Sequence, residues 1–221
     1  MPGLFITFEG TEGSGKSTQI TLLAERLRAL GWPVRTLREP GGTPIGEEIR
    51  HTLQHSEQNA AMTAEAELLL INASRAQLVR EVIRPALAAG EMVLCDRFYD
   101  STTAYQGYGR QLDLARVQGV IDFAVGETRP DLTLLFMVPV AVSEARRGTR
   151  QAAGATARDR MEEADRGFFE RVEKGYLAIA AGEPQRVRLI DAERGVEAVS
   201  QAVWRAVWPR LALAQKGPAR R

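Results

Sequence analysis

The strongest constraint on the fold lies near the N-terminus, where one segment fits the pattern of a phosphate-binding loop: Gly10-Thr11-Glu12-Gly13-Ser14-Gly15-Lys16-Ser17-Thr18. The apolar residues 4–8 precede it and are typical of a buried strand, and apolar residues at helical spacing follow it as far as Leu30. The glycines let the backbone curl so that several N–H groups point at one anion, at the positive end of the following helix. The sequence therefore predicts a strand, loop and helix that bind the phosphates of a nucleoside triphosphate.

Polar side chains in and beyond this loop have the chemistry of an ATP and Mg²⁺ site. Lys16 is expected to reach the β- and γ-phosphates, and the Ser17 hydroxyl to complete the coordination shell of Mg²⁺. Asp96 and Arg97 follow the apolar residues 92–95, so they are expected at the sheet edge where ligands bind. We expect Asp96 to act on the metal through its water shell and Arg97 to offer two parallel hydrogen bonds to a phosphate.

Short apolar runs alternate with longer helical periods along the chain, which is the pattern of an α/β fold. Five runs are predicted to be strands: residues 4–8, 34–37, 92–95, 132–138 and 186–190. Since helical segments separate them, we expect a three-layer phosphate-loop fold, with a parallel five-stranded sheet flanked by helices in a single domain spanning residues 1–221. The arginine-rich residues 146–160 are predicted to form a mobile basic loop, here called the lid, and residues 214–221 a disordered tail.

Two other segments bear on the site. The longest helical pattern covers residues 63–90, and Pro85 is expected to kink or end it because proline has no N–H for a helix-interior hydrogen bond. The polar and aromatic residues 98–110 have two interpretations from residue type alone: a surface loop, or a segment that reads a base and a sugar.

Composition argues against several other classes of protein. The 221 residues carry 29 Lys and Arg against 28 Asp and Glu, and this balance gives no overall reason to expect a nucleic-acid partner. The chain has no run of 18 apolar residues, as a membrane-spanning helix would need, and no secretory signal at its N-terminus. The single cysteine, Cys95, cannot form an internal disulfide. We therefore expect a cytoplasmic globular protein with no membrane or nucleic-acid partner.

A phosphate-binding loop identifies a nucleotide ligand but not a reaction. A switch GTPase would need an Asn-Lys-x-Asp sequence to read guanine, and the asparagines, Asn59 and Asn72, are each followed by alanine. Motors and helicases are usually larger than this chain. Phosphoryl transfer to a small molecule is the interpretation that remains.

Four further segments resemble the thymidylate kinase family. The family's signature is similar to Asp96-Arg97-Phe98-x-x-Ser101-x-x-Ala104-Tyr105-Gln106-Gly107. Other family segments, in the same order and spacing, resemble Arg38-Glu39-Pro40-Gly41-Gly42-Thr43, Arg129-Pro130-Asp131-Leu132-Thr133 and Asp159-Arg160-Met161-Glu162. The resemblance covers nearly the whole chain and implies transfer of the γ-phosphoryl group of ATP to dTMP with Mg²⁺, giving dTDP and ADP in dTTP synthesis. Members of the family are commonly homodimers, so it also implies a second copy as partner.

The same resemblance implies which side chains hold the phosphate and sugar of dTMP. Glu12 would accept a hydrogen bond from the 3′-hydroxyl of the acceptor sugar. Arg38 and Arg97 would hold the acceptor phosphate. Tyr105 would lie beneath the sugar, where a ribose 2′-hydroxyl would crowd it.

The resemblance likewise implies the side chains that read the base. Arg75 would donate a hydrogen bond to O4 of thymine, and Gln106 would read the same base. Ser101 and Thr102, in the same segment as Gln106, complete the expected dTMP site.

One position departs from the family pattern. The family usually has a phenylalanine one helical turn before the base-reading arginine, where it stacks on thymine, and this chain has Ile71. An aliphatic side chain lacks the aromatic face, which contributes about 0.5–1.5 kcal/mol beyond its area. Either dTMP binds more weakly here, or another aromatic side chain, Phe98 or Tyr105, compensates.

A further cation is expected from the lid. The phosphate loop carries Glu12 and no arginine, and in bacterial members with this arrangement the lid supplies an arginine. The candidates are Arg146, Arg147, Arg150, Arg158 and Arg160. Arg150 and Arg158 are the preferred pair. We expect them to join Lys16, Mg²⁺ and Arg97 in neutralising the charge that spreads over the transferred phosphoryl group.

Three functions follow from these observations. The first is a thymidylate kinase, and the second, kept open by Ile71, is a kinase for another nucleoside monophosphate. The third is a nucleotide-binding regulatory or scaffold protein without turnover. The presence of Lys16, Ser17, Asp96 and Arg97 argues against the third, because a protein that has lost its activity tends to lose at least one such residue.

Overall fold

The computed structural model describes residues 3–152 and 165–216. At its centre is a sheet of five parallel strands in the order β2-β3-β1-β4-β5. The strands are β1 Leu4–Gly10, β2 Val34–Arg38, β3 Met92–Asp96, β4 Leu132–Met137 and β5 Val187–Asp191. Each matches a predicted strand to within about two residues at either end, which is the usual uncertainty of element boundaries. The predicted α/β fold with a parallel five-stranded sheet is confirmed.

The register of the sheet brings the ends of three strands together. Phe8 of β1 and Arg38 of β2 both lie opposite Asp96 of β3. Because the strands are parallel, the phosphate loop after β1, the Arg38 segment after β2 and the Arg97 segment after β3 all leave the sheet at one edge. Ligands bind at this edge in open α/β sheets.

Helices cover both faces of the sheet. They are α1 Lys16–Ala29, α2 Pro44–Gln54, α3 Ala64–Leu78, α4 Arg84–Ala88, α5 Tyr99–Thr102, α6 Leu114–Val125, α7 Val140–Ala152, α8 Arg166–Gly182 and α9 Val196–Lys216. Side chains of a strand alternate between faces, so Ile6 and Phe8 of β1 pack against α1 and α9, whereas Phe5 packs against α3 and α6. The result is the predicted three-layer arrangement.

The longest helical pattern is continuous but changes its winding. Between α3 and α4 the chain winds as a π-helix over Val79–Ile83, and Pro85 lies in the first turn of α4. A proline ring crowds the carbonyl group one turn earlier and supplies no N–H, so the wider π turn ahead of Pro85 accommodates it. Pro85 therefore neither ends the helix nor starts a loop.

The segment after Arg97 is helical and buried, so its interpretation as a surface loop is wrong. α5 continues directly into a π-helix over Thr103–Gly109, which packs against α8. The close approach depends on glycine, because a Cβ on Gly175 of α8 would lie 2.8 Å from the Tyr108 ring. This packing buries Tyr105 and Gln106 and holds them in fixed positions.

Two predictions of irregular structure are wrong for the residues that are described. Residues 146–152 of the predicted lid belong to α7, because arginine, glutamine and alanine are good helix formers and outweigh the single Gly148. Residues 214–216 of the predicted tail belong to α9, which extends to Lys216. The rest of both segments, residues 153–160 and 217–221, lies outside the described residues. Within the two described ranges, no helix has the length and apolar character needed to cross a membrane.

Candidate active site

A cavity of about 790 Å³, here called the central cavity, opens at the sheet edge where the three strands end. Fifteen of its lining residues were predicted from the sequence: Glu12, Gly13, Gly15, Lys16, Ser17, Thr18, Arg38, Ile71, Arg75, Asp96, Arg97, Ser101, Thr102, Tyr105 and Gln106. They come from the phosphate loop, the end of β2, α3 and the segment after β3. The remaining members of the predicted loop, Gly10, Thr11 and Ser14, are buried behind this surface.

The phosphate loop is held in its curled form by its own lysine. The Lys16 ammonium donates hydrogen bonds to the carbonyl oxygens of Gly10 at 3.2 Å and Thr11 at 2.9 Å, and to the Ser14 hydroxyl at 3.4 Å. Burial, followed by the positive charge of Arg97, lowers the pKa of Lys16. At Gly10 a Cβ would lie 2.3 Å from the Phe136 carbonyl oxygen, so only glycine fits there. This cationic loop at the start of α1 is suited to phosphate.

The two residues predicted to serve the metal lie side by side. The Ser17 hydroxyl, at the start of α1, donates a 2.9 Å hydrogen bond to Oδ2 of Asp96, at the end of β3. A hydroxyl and a carboxylate beside a phosphate loop are oxygen donors of the kind that Mg²⁺ prefers, usually together with water and nucleotide phosphates. The residues present therefore fit a Mg²⁺ ion.

Arg97 lies at the centre of the acceptor side of the cavity. Its backbone is in the left-handed region, with φ of 69°, which costs energy for a residue other than glycine and is most often found at functional sites. Its guanidinium forms a 2.6 Å ion pair with Glu12 and donates to the hydroxyls of Ser101 at 3.0 Å, Tyr105 at 3.3 Å and Tyr176 at 3.4 Å. The structure thus brings three predicted site residues, Glu12, Ser101 and Tyr105, together around Arg97.

A buried carboxylate that the sequence analysis missed supports this arrangement. Glu9, the penultimate residue of β1, accepts hydrogen bonds from the Phe98 N–H at 2.7 Å, the Ser101 hydroxyl at 2.5 Å and the Tyr176 hydroxyl at 3.1 Å. Burial, and then the negative charge of Asp100, raise the pKa of Glu9 to about 7, although the Ser101 hydrogen bond opposes the change. Glu9 could have been predicted from the sequence, because it is a carboxylate inside an apolar strand. Tyr176 could not, because nothing near it in the sequence links it to the site.

Arg75 lies deep in the wall of the cavity, where its guanidinium makes four hydrogen bonds and an ion pair with protein groups. Nε and Nη2 lie 2.8 and 2.6 Å from Glu39 Oε2, and Nη2 also donates to the Phe98 carbonyl at 3.1 Å. Nη1 donates to Asn72 at 2.9 Å and Thr102 at 2.8 Å. A guanidinium has five donors. A hydrogen bond from Arg75 to a base must therefore use the second N–H of Nη2, whose nitrogen lies 2.6 Å from Glu39 Oε2, or share an N–H that already has a partner.

Gln106 and Ile71 lie in the same part of the cavity as Arg75. The Gln106 amide nitrogen donates a 2.8 Å hydrogen bond to Glu67, a second buried carboxylate that the sequence analysis missed. Glu67, Ile71 and Arg75 follow one another at four-residue intervals along α3, which places them on one face of the helix. This spacing is the sequence feature from which Glu67 could have been predicted as a site residue.

Arg38 lies at the outer rim of the cavity rather than inside it. Its guanidinium is about half exposed and forms a 2.8 Å ion pair with Glu47 of α2. Arg146, a candidate lid arginine, also lines the cavity, and seven other lining residues were not predicted as site residues: Glu39, Pro40, Arg50, Gln54, His55, Thr149 and Phe169. Arg50 and Gln54 lie one helical turn apart near the end of α2. This spacing is the one sequence feature that places both of them on the same side of the helix.

The lid arginines are only partly described. Arg146 of α7 lines the cavity and donates to the carbonyl oxygens of Gly13 at 3.3 Å and Ala192 at 3.1 Å, so it joins the phosphate loop to the segment after β5. Arg150 belongs to α7, and Arg158 lies outside the described residues. The assignment of Arg150 and Arg158 stays a prediction.

Comparisons with known proteins agree on one family. The family model described as "Thymidylate kinase" matches residues 8–203. The thymidylate kinase of Alcanivorax borkumensis is 50% identical over 214 residues, which cover 95% of this chain and all of the relative. The thymidylate kinase of Pseudomonas fluorescens is 52% identical over 203 residues, which cover 92% of this chain and 94% of the relative. A crystal structure of thymidylate kinase from Ehrlichia chaffeensis is similar, with a TM-score of 0.74 and 32% identity over 94% of this chain and 99% of that one.

Proposed function

The chain belongs to the thymidylate kinase family and transfers the γ-phosphoryl group of ATP to dTMP, giving dTDP and ADP; we propose that the central cavity is where this transfer takes place. The observation that carries the proposal is that one cavity combines a phosphate loop with a Ser17–Asp96 oxygen pair and an Arg97–Glu12 ion pair. The first two features suit a nucleoside triphosphate with its metal. The third adjoins them, since Glu12 belongs to the phosphate loop and Arg97 follows Asp96, and it suits a second, anionic substrate with a hydroxyl group.

On the donor side, we propose that residues 10–18 hold the phosphates of ATP. The loop N–H groups and the Lys16 ammonium contact the β- and γ-phosphates, and the lysine stays aligned through its bonds to Gly10 and Thr11. Ser17 and Asp96 would hold Mg²⁺, with Asp96 acting through water. When bound, Mg²⁺ neutralises charge on the phosphate oxygens.

On the acceptor side, we propose that Arg97 holds the phosphate of dTMP while Glu12 accepts a hydrogen bond from the 3′-hydroxyl. The Arg97–Glu12 distance of 2.6 Å keeps both groups pointed into the same small volume, so one nucleotide can contact both. The Tyr105 ring lies 5.0 Å from the Arg97 guanidinium and would lie beneath the sugar. Arg38, at the rim, supplies a second cation to the acceptor phosphate.

The transfer itself needs alignment and charge neutralisation more than covalent help from the protein. Lys16 and Arg97 approach the transferred group from the donor and acceptor sides. We propose that the lid, residues 146–160 of the single domain, adds Arg150 and Arg158 when it closes. Closure also excludes water, which would otherwise compete with dTMP for the phosphoryl group.

We propose further that the protein works as a homodimer in the cytoplasm. α3 and α6 pack against each other, and each carries a large exposed apolar side chain: Leu69 is 58% exposed and Phe123 is 85% exposed. A second copy would cover them. Sedimentation should then give a mass twice that of one chain for the wild-type protein. Phe123→Asp should sediment as a monomer, and a monomeric wild-type protein contradicts the proposal.

The cytoplasmic location is supported by the single cysteine, Cys95, which is buried in β3 as a free thiol.

The experiment that tests the site is identification of the products by phosphorus NMR. The protein is incubated with ATP, Mg²⁺ and dTMP, and ADP and dTDP are expected in equal amounts. Wild-type protein and the Glu65→Gln variant, which alters an exposed residue of α3 outside the cavity, should behave alike. Formation of ADP and inorganic phosphate without dTDP would mean that the acceptor side of the cavity does not bind dTMP.

A further inference from the structure

The contact between Gln106 and Glu67 determines which end of the Gln106 amide faces the central cavity. Both side chains are buried, and the Gln106 nitrogen lies 2.8 Å from Glu67 Oε1. A carboxylate accepts hydrogen bonds and does not donate them, so the nitrogen end of the amide must face Glu67. Within the described ranges this is the one hydrogen bond of the Gln106 side chain. Its oxygen and its second N–H are therefore left for a ligand in the cavity that Gln106 lines.

Arg110 holds Glu67 in one orientation. Its Nη2 lies 2.9 Å from Glu67 Oε2 and its Nε lies 3.2 Å from Oε1, so two parallel hydrogen bonds fix the plane of the carboxylate. The guanidinium itself lies over the Phe168 ring at 4.9 Å. Glu67 therefore presents an acceptor at a defined point beside Gln106.

The orientation of the amide matters because pyrimidines differ at two neighbouring positions. A 4-keto pyrimidine such as thymine has an N–H at position 3 and an oxygen at position 4. A 4-amino pyrimidine such as cytosine has an acceptor nitrogen at position 3 and an amino group at position 4. An amide that offers its oxygen to position 3 and an N–H to position 4 pairs with the keto form, and the rotated amide pairs with the amino form.

We infer that Glu67 is a positioning residue that acts through Gln106 and makes the site prefer a 4-keto over a 4-amino pyrimidine nucleotide. The inference rests on the proposed function, since it assumes that the acceptor base lies against Gln106. Arg75 does not set this preference alone, because four of its five N–H groups already donate to protein groups. Glu67 does not touch the base. Its effect is to exclude the rotated state of the Gln106 amide, in which the oxygen and nitrogen exchange places.

Glu67→Gln tests the inference with almost no change in shape. The shorter of the two Arg110 bonds, 2.9 Å to Oε2, favours the oxygen of the new amide at that position. Its NH₂ group then lies at the Oε1 position beside Gln106, and the Gln106 amide rotates to accept from it. The readout is the ratio of kcat/KM for dTMP to kcat/KM for dCMP. We expect this ratio to fall by about tenfold or more, the effect of one mispaired buried hydrogen bond. Glu65→Gln is the matched control, since Glu65 lies in the same helical turn but is exposed, and its ratio should equal that of the wild-type protein.

Folding and function are separated by two further measurements. Arg110→Met removes an ion-pair partner but leaves the carboxylate, and either oxygen of a carboxylate accepts from Gln106 however Glu67 turns, so its ratio should stay at the wild-type value. A tenfold fall there would overturn the inference, whether or not Glu67→Gln folds. A cooperatively unfolding Glu67→Gln protein with an unchanged ratio would overturn it as well. If wild-type protein phosphorylates neither nucleotide, the proposed function fails. If it prefers dTMP and Glu67→Gln keeps that preference, only the role of Glu67 fails.

Discussion

The buried carboxylate of Glu9 should make the stability of the fold depend on pH. Burial and the nearby Asp100 raise the pKa of Glu9 from 4.5 to about 7. Between these values the native protein keeps the proton that the unfolded chain has released. The unfolded state then binds fewer protons than the native state, so the contribution of Glu9 to the free energy of unfolding falls as pH rises from about 4.5 to about 7.

The size of the effect follows from the pKa. At about 1.4 kcal/mol for each pH unit, the change from 4.5 to about 7 corresponds to on the order of 3 kcal/mol. Glu9→Gln keeps the shape of the side chain but does not titrate. The free energy of unfolding of the variant, relative to the wild-type protein, should therefore rise by on the order of 3 kcal/mol between about pH 4.5 and about pH 8. Carboxylates that do not interact with Glu9 affect both proteins equally.

The assay is urea unfolding followed by tryptophan fluorescence, with both proteins measured at several pH values across this window. A constant offset between the two proteins reflects the amide itself and does not bear on the argument. The control is Glu65→Gln, an exposed carboxylate whose replacement should leave the pH dependence unchanged. The reasoning is refuted if the difference between Glu9→Gln and wild type stays flat, or if the wild-type protein gains stability over the variant as pH rises.

Three substitutions in the cavity test the separate roles. Lys16→Ala should reduce kcat by at least about a hundredfold, because a cation aimed at the transferred phosphate is lost. The variant should still unfold cooperatively, and full activity would contradict the assignment of the donor site. Arg97→Lys keeps the positive charge but loses the planar guanidinium that makes two parallel hydrogen bonds to a phosphate. Its kcat/KM for dTMP should fall by roughly tenfold to a hundredfold, with KM for ATP little changed. An unaltered kcat/KM would count against the acceptor site. Ile71→Phe adds an aromatic face worth about 0.5–1.5 kcal/mol, so KM for dTMP should fall by roughly twofold to tenfold, whereas a higher KM would show that the base does not lie there.

The fold was predictable to the extent that buried parallel strands appear as apolar runs. β1 and β3 are covered on both faces, so most of their residues are apolar, and a run of apolar residues predicts a buried strand. The helical start of the lid was not predictable in the same way. Residues 146–152 carry few apolar side chains, and helix propensity alone decides their structure.

The site was predictable where its chemistry is concentrated in short segments. The phosphate loop and the segment after β3 each combine several functional residues within a few positions, and strand order then brings them together. The contacts of the supporting carboxylates, Glu9 and Glu67, were not predictable, because their partners are distant in sequence. Tyr176 lies 167 positions from Glu9, and Gln106 lies 39 positions from Glu67. Only the packing of α8 and α3 against the segment after β3 makes these pairs neighbours.

The most direct test of the central claim is a coupled ADP-release assay with ATP and Mg²⁺, in which dTMP, dUMP, dCMP, UMP, AMP and GMP are offered separately. We predict that ADP release depends on the acceptor and that kcat/KM is highest for dTMP, with Ile71 tolerated beside the base. Equal or faster turnover of another monophosphate would contradict thymidine selectivity. Bound ATP without ADP release for any acceptor would contradict the assignment of the central cavity as a phosphoryl-transfer site.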